Sequence, residues 1–255
     1  MEIQLKQVPK KWHKTTYADV VTEVLAEVDS DVTISKKKKR TPGNRRRPLM
    51  ISSGVALFAY GVLFIAWTGH RVDRDMRAEA MLQAQMVAQA VDFDRVAALS
   101  GSSADLVSAD YQRLKEQLTL IRKANPKCRF IYLMGRNPAG ALFFYVDSED
   151  PDSPDYSPPG ETFDEATKDD YAVFATGEGS VGGPYKDRWG TWISAMVPVF
   201  RPDGTRMPVV LGMDFNAISW KWDVSSKTML PASPALLAFI LGFYLLGVAF
   251  RPPQS

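Results

Sequence analysis

Two short runs in the middle of the chain concentrate aromatic and charged side chains: residues 143–149 (FFYVDSE) and 183–194 (GPYKDRWGTWIS). A third run, 211–214 (LGMD), ends on Asp214. The chemistry open to these residues is binding. Aromatic rings supply apolar walls, the guanidinium of Arg188 can fork onto a carboxylate, and Asp147 or Asp214 can pair with an ammonium. Gathered round one cavity, they would suit a small zwitterion or organic acid.

Each of these residues also has a plainer reading. Trp189 and Trp192 can be core. In a regular strand, alternation puts Trp189, Thr191 and Ile193 on one face and Gly190, Trp192 and Ser194 on the other, so at most one Trp would face a cavity. Asp214 is placed to cap a following helix, a reading slightly favoured by position. Arg188 can answer Asp187 or an acid of the loop at 147–155. That loop lacks the glycine and the spacing of a calcium loop, so it reads as solvated and no metal is expected.

Catalytic alternatives find little support. The two histidines are His13, near the N-terminus, and His70, at the edge of an apolar run. Neither lies where a zinc site or a serine nucleophile would need it. The single cysteine, Cys128, can form no internal disulfide and reads as a small buried apolar group. Gly177, Gly179 and Gly182 have the spacing G-x-G-x-x-G. They lie between a helix and a strand, reversed from the order that aims amides at a pyrophosphate, and so read as a loop. An enzyme would be left with Asp147 and Asp214 as an acid–base pair, and neither enzymatic activity nor a cofactor is expected.

The elements that must position these residues follow from hydropathy and charge. Residues 49–68 are 20 positions without a charged side chain, about 30 Å as a helix. Residues 229–250 form a second uncharged run, with Pro231 and Pro234 near its start. Both read as membrane spans, the first as an uncleaved signal anchor with Trp67 at the headgroup level. Residues 1–47 carry 12 Lys and Arg against 6 acids, and residues 69–228 carry 18 against 23. The positive-inside rule then divides the chain. Residues 1–47 are a cytoplasmic tail with a polybasic stretch, 48–68 the first span, 69–228 an extracytoplasmic domain, 229–250 the second span and 251–255 a cytoplasmic stub. The tail also shows a short amphipathic pattern from Thr16 through Val28, a docking segment or a marginal helix. The basic stretch reads as a topology determinant lying on anionic lipid rather than a nucleic-acid site.

Within the outer domain, residues 71–98 lack Gly and Pro and predict one long stalk helix. A polar loop at 101–109 and a helix at 110–124 follow. Strands are expected at 129–136 and 141–148, around a turn at 137–140. A loop at 149–160 leads to a helix at 163–175. Three more strands are expected at 180–185, 191–200 and 206–213, with Pro202, Asp203 and Gly204 turning the last pair, then a short helix at 217–224. This is an α+β domain with one antiparallel sheet backed by helices.

That order of elements, with the runs FFYVDSE, GPYKDRWGTWIS and LGMD, resembles the extracytoplasmic PAS-like domains called Cache domains, found in bacterial receptor kinases, cyclic-dinucleotide enzymes and chemoreceptors. The resemblance covers about residues 70–225. It implies a five-stranded antiparallel sheet behind a long N-terminal stalk helix, with a ligand held between the sheet and the loop and helix crossing it. The implied pocket comprises Tyr132, Tyr145, Asp147, Tyr185, Arg188, Trp189, Trp192 and Asp214. It also implies a homodimer through the stalk helices, although neither span carries a G-x-x-x-G motif.

The expectation is therefore a membrane-anchored sensor in the bacterial inner membrane, with both termini cytoplasmic. It would read an amino acid, carboxylate or amine and relay occupancy through its spans to a membrane or cytoplasmic signalling partner. An output module following the second span is absent from this sequence, which would make the chain either a stand-alone subunit or a truncated receptor. The alternative is a docking subunit that uses the same fold without a small ligand.

Overall fold

The computed structural model describes residues 46–201 and 203–251. The amphipathic segment and most of the polybasic stretch, as well as Pro202 of the predicted turn, lie outside the described residues.

The chain begins with one helix, α1 (Arg46–Ala90), of 45 residues, about 68 Å long. The apolar run and the stalk are thus continuous. Its first half exposes Leu49, Phe58, Leu63 and Trp67, whereas its second half buries Met76, Ala80, Ala84 and Ala88 at a spacing of four, a narrow stripe of one helix face. The predicted stalk helix ends eight residues early. Asp92 turns extended and its carboxylate accepts the amides of Asp94 and Arg95, which starts a separate helix, α2 (Phe93–Ala98). The expected polar loop contains a 3-10 turn (Ser103–Val107) capped reciprocally by Ser102 and Asp105. It leads into α3 (Ala109–Ala124).

Five strands follow: β1 (Cys128–Arg136), β2 (Leu142–Asp147), β3 (Ser180–Lys186), β4 (Thr191–Phe200) and β5 (Arg206–Asn216). They form one antiparallel sheet in the order β2-β1-β5-β4-β3. This bears out the α+β reading with a five-stranded antiparallel sheet behind a long N-terminal helix. Between β2 and β3 runs the crossover segment, which contains α4 (Lys168–Thr176). That helix starts five residues later than the pattern at 163–175 predicts, because Thr167 and Asp170 form a capping box there and leave Phe163 in the preceding loop. Gly177 closes it in the left-handed conformation at φ 74°, so the first glycine of the G-x-G-x-x-G spacing is a helix terminator.

β5 runs three residues beyond the predicted strand. Asn216, rather than Asp214, then caps α5 (Ala217–Met229), which extends five residues past the expected end. After a break, α6 (Ser233–Ala249) has Pro in its first turn and is bent 66° from α5. Among the described residues, α1 is the one helix that is by itself long and apolar enough to cross a membrane; α5 and α6 satisfy that test only as a bent pair. α6 packs on α1 along a seam of small residues. Gly54 lies against Leu246 and the carbonyl of Gly242, and Gly61 lies beneath Phe239, itself 5.1 Å from the ring of Phe58. Two glycines seven residues apart thus provide the close approach without a G-x-x-x-G motif.

Alternation along the strands divides the sheet into two faces. Ile131, Leu133, Val146, Ile193, Val197, Leu211 and Met213 pack with α1 and with Tyr111, Leu114 and Leu118 of α3. Phe130, Tyr132, Met134, Phe144, Trp192, Met196 and Val210 form a second cluster beneath the crossover segment.

Candidate ligand pocket

The second face is not closed by side chains alone. Its central row is set by register: Tyr132 on β1 pairs with Asp147 on β2 and with Gly212 on β5, and Asp214 on β5 pairs with Phe130 on β1 and Ser194 on β4. A Cβ at position 212 would overlap the ring of Tyr132, so the glycine is what lets that ring lie flat across the sheet. A cavity lies over this row, with about 40 Å3 open to the centre of a water molecule; the wider space of about 570 Å3 between its walls includes open solvent. Phe130, Tyr132, Phe144, Trp192, Ser194 and Asp214 line it from the sheet, and Phe163, Glu165, Thr167 and Asp170 from the crossover segment.

Asp187 organises the remaining wall. Its Oδ1 accepts the amides of Trp189 and Gly190 and the indole Nε1 of Trp192, each at 2.9 Å. Both tryptophans line the cavity, against the expectation of at most one. The reason is that β4 begins at Thr191, so Trp189 belongs to the turn and alternation does not govern it. Its ring stacks on Phe163 at 6.2 Å and meets Phe144 edge-on at 6.0 Å.

Of the eight residues named from the sequence, Tyr132, Asp147, Tyr185, Trp189, Trp192 and Asp214 line this cavity. Tyr145 and Arg188 do not. In the ladder between β1 and β2, Leu133 pairs with Val146 and Met134 with Phe144, so Tyr145 is the extra residue of a bulge. The bulge reverses the parity of β2: Phe144 takes the cavity face and Tyr145 packs on the opposite cluster beside Phe143. Arg188 faces outward. It pairs with Glu161 at 3.0 Å and Glu165 at 3.5 Å, both on the crossover segment, and lies over Trp189 at 4.2 Å. The tyrosine hydroxyl of Tyr185 donates to Asp169 at the start of α4. Arg188 and Tyr185 therefore tie the β3–β4 hairpin to the crossover segment on either side of the cavity.

Sequence reasoning missed Phe130, Phe144, Phe163, Asp170, Asp187 and Ser194. Parity with Tyr132 was the signal for Phe130, and parity with Trp192 for Ser194. Phe144 was hidden by the bulge, and Phe163 by the assignment of its segment to a helix.

The two buried carboxylates differ in their surroundings. Asp147, 4 % exposed, holds the loop after β2: its oxygens accept the amides of Glu149 at 3.1 Å and Ser157 at 2.9 Å. Burial pushes its carboxyl up to about 6, against the pull of those two amides. Asp214, 6 % exposed, accepts the hydroxyls of Ser194 and, at 3.3 Å, Tyr132. Burial pushes Asp214 up to about 7, and the nearby charges of Asp187 and Asp170 push the same way. Burial raises Asp170 as well, and Tyr132 is held well above the usual phenol range by burial and by Asp214. The acidic loop is tied down rather than free: Arg129 pairs with Glu149 and Asp155, and Lys115 donates to the carbonyls of Asp147 and Glu149. Among the described residues, no group of three or more His, Cys, Asp or Glu is placed to hold a metal ion.

No protein-family model matches the chain. No curated protein matches it either. The solved structures it is similar to include the ligand-binding domain of the Campylobacter jejuni chemoreceptor Tlp3 in complex with L-valine, at 16% identity and a TM-score of 0.45, over 69% of this chain and 67% of that one. The sensory domain of the same chemoreceptor aligns at 15% identity and a TM-score of 0.43, over 68% of this chain and 66% of that one. An extracellular ligand binding receptor from Desulfohalobium retbaense aligns at 12% identity and a TM-score of 0.37, over 72% of this chain and 27% of that one.

Proposed function

We propose that this chain is a membrane-anchored sensor of a small organic ligand, with residues 69–228 outside the cytoplasm and α1 and the α5–α6 pair carrying its signal across the bilayer. One observation carries the reading: the cavity is walled by β5, which runs directly into α5, and by β3, which is hydrogen-bonded to α1. Asp214 lies two residues before Asn216, the cap of α5. On the other wall, the carbonyl of Gly183 in β3 accepts from Arg77 of α1 at 3.4 Å. Arg77 Nε also donates to Asp73 at 2.7 Å, and the other oxygen of Asp73 accepts the indole of Trp220 in α5, again at 2.7 Å. A ligand that moves the hairpin against the sheet would pull on both helices through this junction. Such coupling requires the ligand to favour one arrangement of the junction over the other.

The test is a thermal-shift screen of the full chain in lipid nanodiscs against amino acids, carboxylic acids and amines. A cognate ligand at a hundred times its Kd stabilises by about 2.7 kcal/mol, a rise of several degrees. Trp189→Ala, at a half-buried turn position, should keep cooperative melting and lose the rise. No rise for any compound, in a protein that melts cooperatively, would contradict the sensor reading and favour a docking role.

A further inference from the structure

The charge of the cavity names the class of ligand more narrowly, on the footing that the cavity is a ligand site at all. Six carboxylates line it, against one cation, Lys186, which is exposed at the rim. Most of the six are answered locally. Arg129 takes Asp155, Arg188 takes Glu165, and backbone amides hold Asp147 and Asp187. Asp214 is different. It is buried, it receives only the neutral hydroxyls of Tyr132 and Ser194, and among the described residues no Lys, Arg or His forms an ion pair with it. A carboxylate so placed must keep a proton or meet a cation. The walls around it are compatible with the second course, because the aromatic rings of Tyr132 and Trp192 line the cavity beside it, and such rings can accept a cation and cover an apolar tail.

A ligand carboxylate would find no such reception. The guanidinium nearest in sequence, Arg188, is turned outward onto Glu161 and Glu165 and stacked on Trp189. The interior facing a ligand anion is lined by Asp170, Asp187 and Asp214, which would repel it. We propose that the cavity selects a small organic ammonium ion bearing no carboxylate, with Asp214 as its counter-ion. The 40 Å3 open to a water centre favours a compact skeleton of a few heavy atoms.

The experiment is calorimetric titration of the full chain in lipid nanodiscs at pH 8 with three compounds of one skeleton. Isobutylamine carries the ammonium alone, valine adds a carboxylate, and 3-methylbutanoate has the carboxylate alone. Isobutylamine should bind, valine at least tenfold more weakly, and 3-methylbutanoate should give no heat. Asp214→Asn should weaken isobutylamine binding at least thirtyfold while melting cooperatively at or above the wild-type temperature. Valine binding as tightly as isobutylamine, or unchanged affinity in Asp214→Asn, would overturn the ammonium proposal and leave the sensor reading standing. Silence toward isobutylamine and toward a series from methylammonium to phenethylammonium would also overturn it; the sensor reading would fall only if the broader screen were silent too.

Discussion

The two faces of the sheet are built from the same five strands and put to opposite uses. The face toward α1 and α3 is apolar throughout, with Leu114, Leu118, Ile131, Leu133, Val146 and Leu211 without exposed surface. The face toward the crossover segment buries Asp147, Asp170 and Asp214 among aromatic rings. Apolar burial stabilises a fold in proportion to area, whereas a buried carboxylate without a cation costs stability. The first face therefore holds the domain together by apolar burial, whereas on the second Asp147 and Asp170 anchor the crossover segment through backbone amides and Asp214 has only neutral partners.

Substitutions should separate the faces. Leu118→Ala removes a fully buried side chain from the apolar face and should cost about 2–5 kcal/mol in chemical denaturation, with ligand response retained in whatever remains folded. Asp214→Asn should do the reverse. The carboxyl of Asp214 is raised in the folded state to about 7 from 3.8, so the folded protein holds the proton more tightly. The wild type therefore loses stability as pH rises from about 4 through about 7. Asp214→Asn lacks that loss, so its advantage should be of order 2–4 kcal/mol at pH 8 and vanish near pH 4, which thermal melts across that range would read. If Asp214→Asn is less stable than wild type at pH 8, the buried charge is being compensated and the contrast between faces fails.

Smaller effects sharpen the same contrast. Gly212→Ala forces the ring of Tyr132 to move and should cost about 1–3 kcal/mol while filling part of the cavity, read as weaker ligand binding beyond the loss of stability. Arg188→Ala cuts the half-exposed ties to Glu161 and Glu165 and should change stability by no more than about 1 kcal/mol. Its effect should appear instead as faster ligand release in stopped-flow measurements, because the hairpin is freed from the crossover segment.

The sheet was legible in the sequence, six of the eight residues named from it line the cavity, and the differences have local physical causes. Alternating and turn-bounded runs located all five strands, since period-two burial is visible in composition. Capping side chains fixed the ends that were misplaced. Asp92 broke the stalk and the pair Thr167 and Asp170 delayed α4; α5 starts at Ala217 as expected, but its cap is Asn216 rather than Asp214. Each is a hydrogen bond formed by one side chain, which hydropathy does not register. Tyr145 was misassigned because a single bulged residue reverses every side chain before it in β2. Arg188 could be seen to have an acidic partner, but that its partners are Glu161 and Glu165 depends on where the crossover segment folds back, a contact across more than twenty residues. Sequence also makes the apolar runs 49–68 and 229–250 plain, whereas the 66° bend between α5 and α6 depends on where the helix is interrupted before Pro234.

Hydrogen exchange of the full chain in nanodiscs, with and without a saturating ligand from the thermal-shift screen, tests the central claim most directly. Protection should rise in residues 155–170 and 187–192, the segments that close the cavity, and in the Arg77–Trp220 junction, with α3 unchanged. Protection confined to α3 or to the exposed half of α1, or none anywhere despite saturated binding, would contradict the assignment of the ligand to the polar face of the sheet.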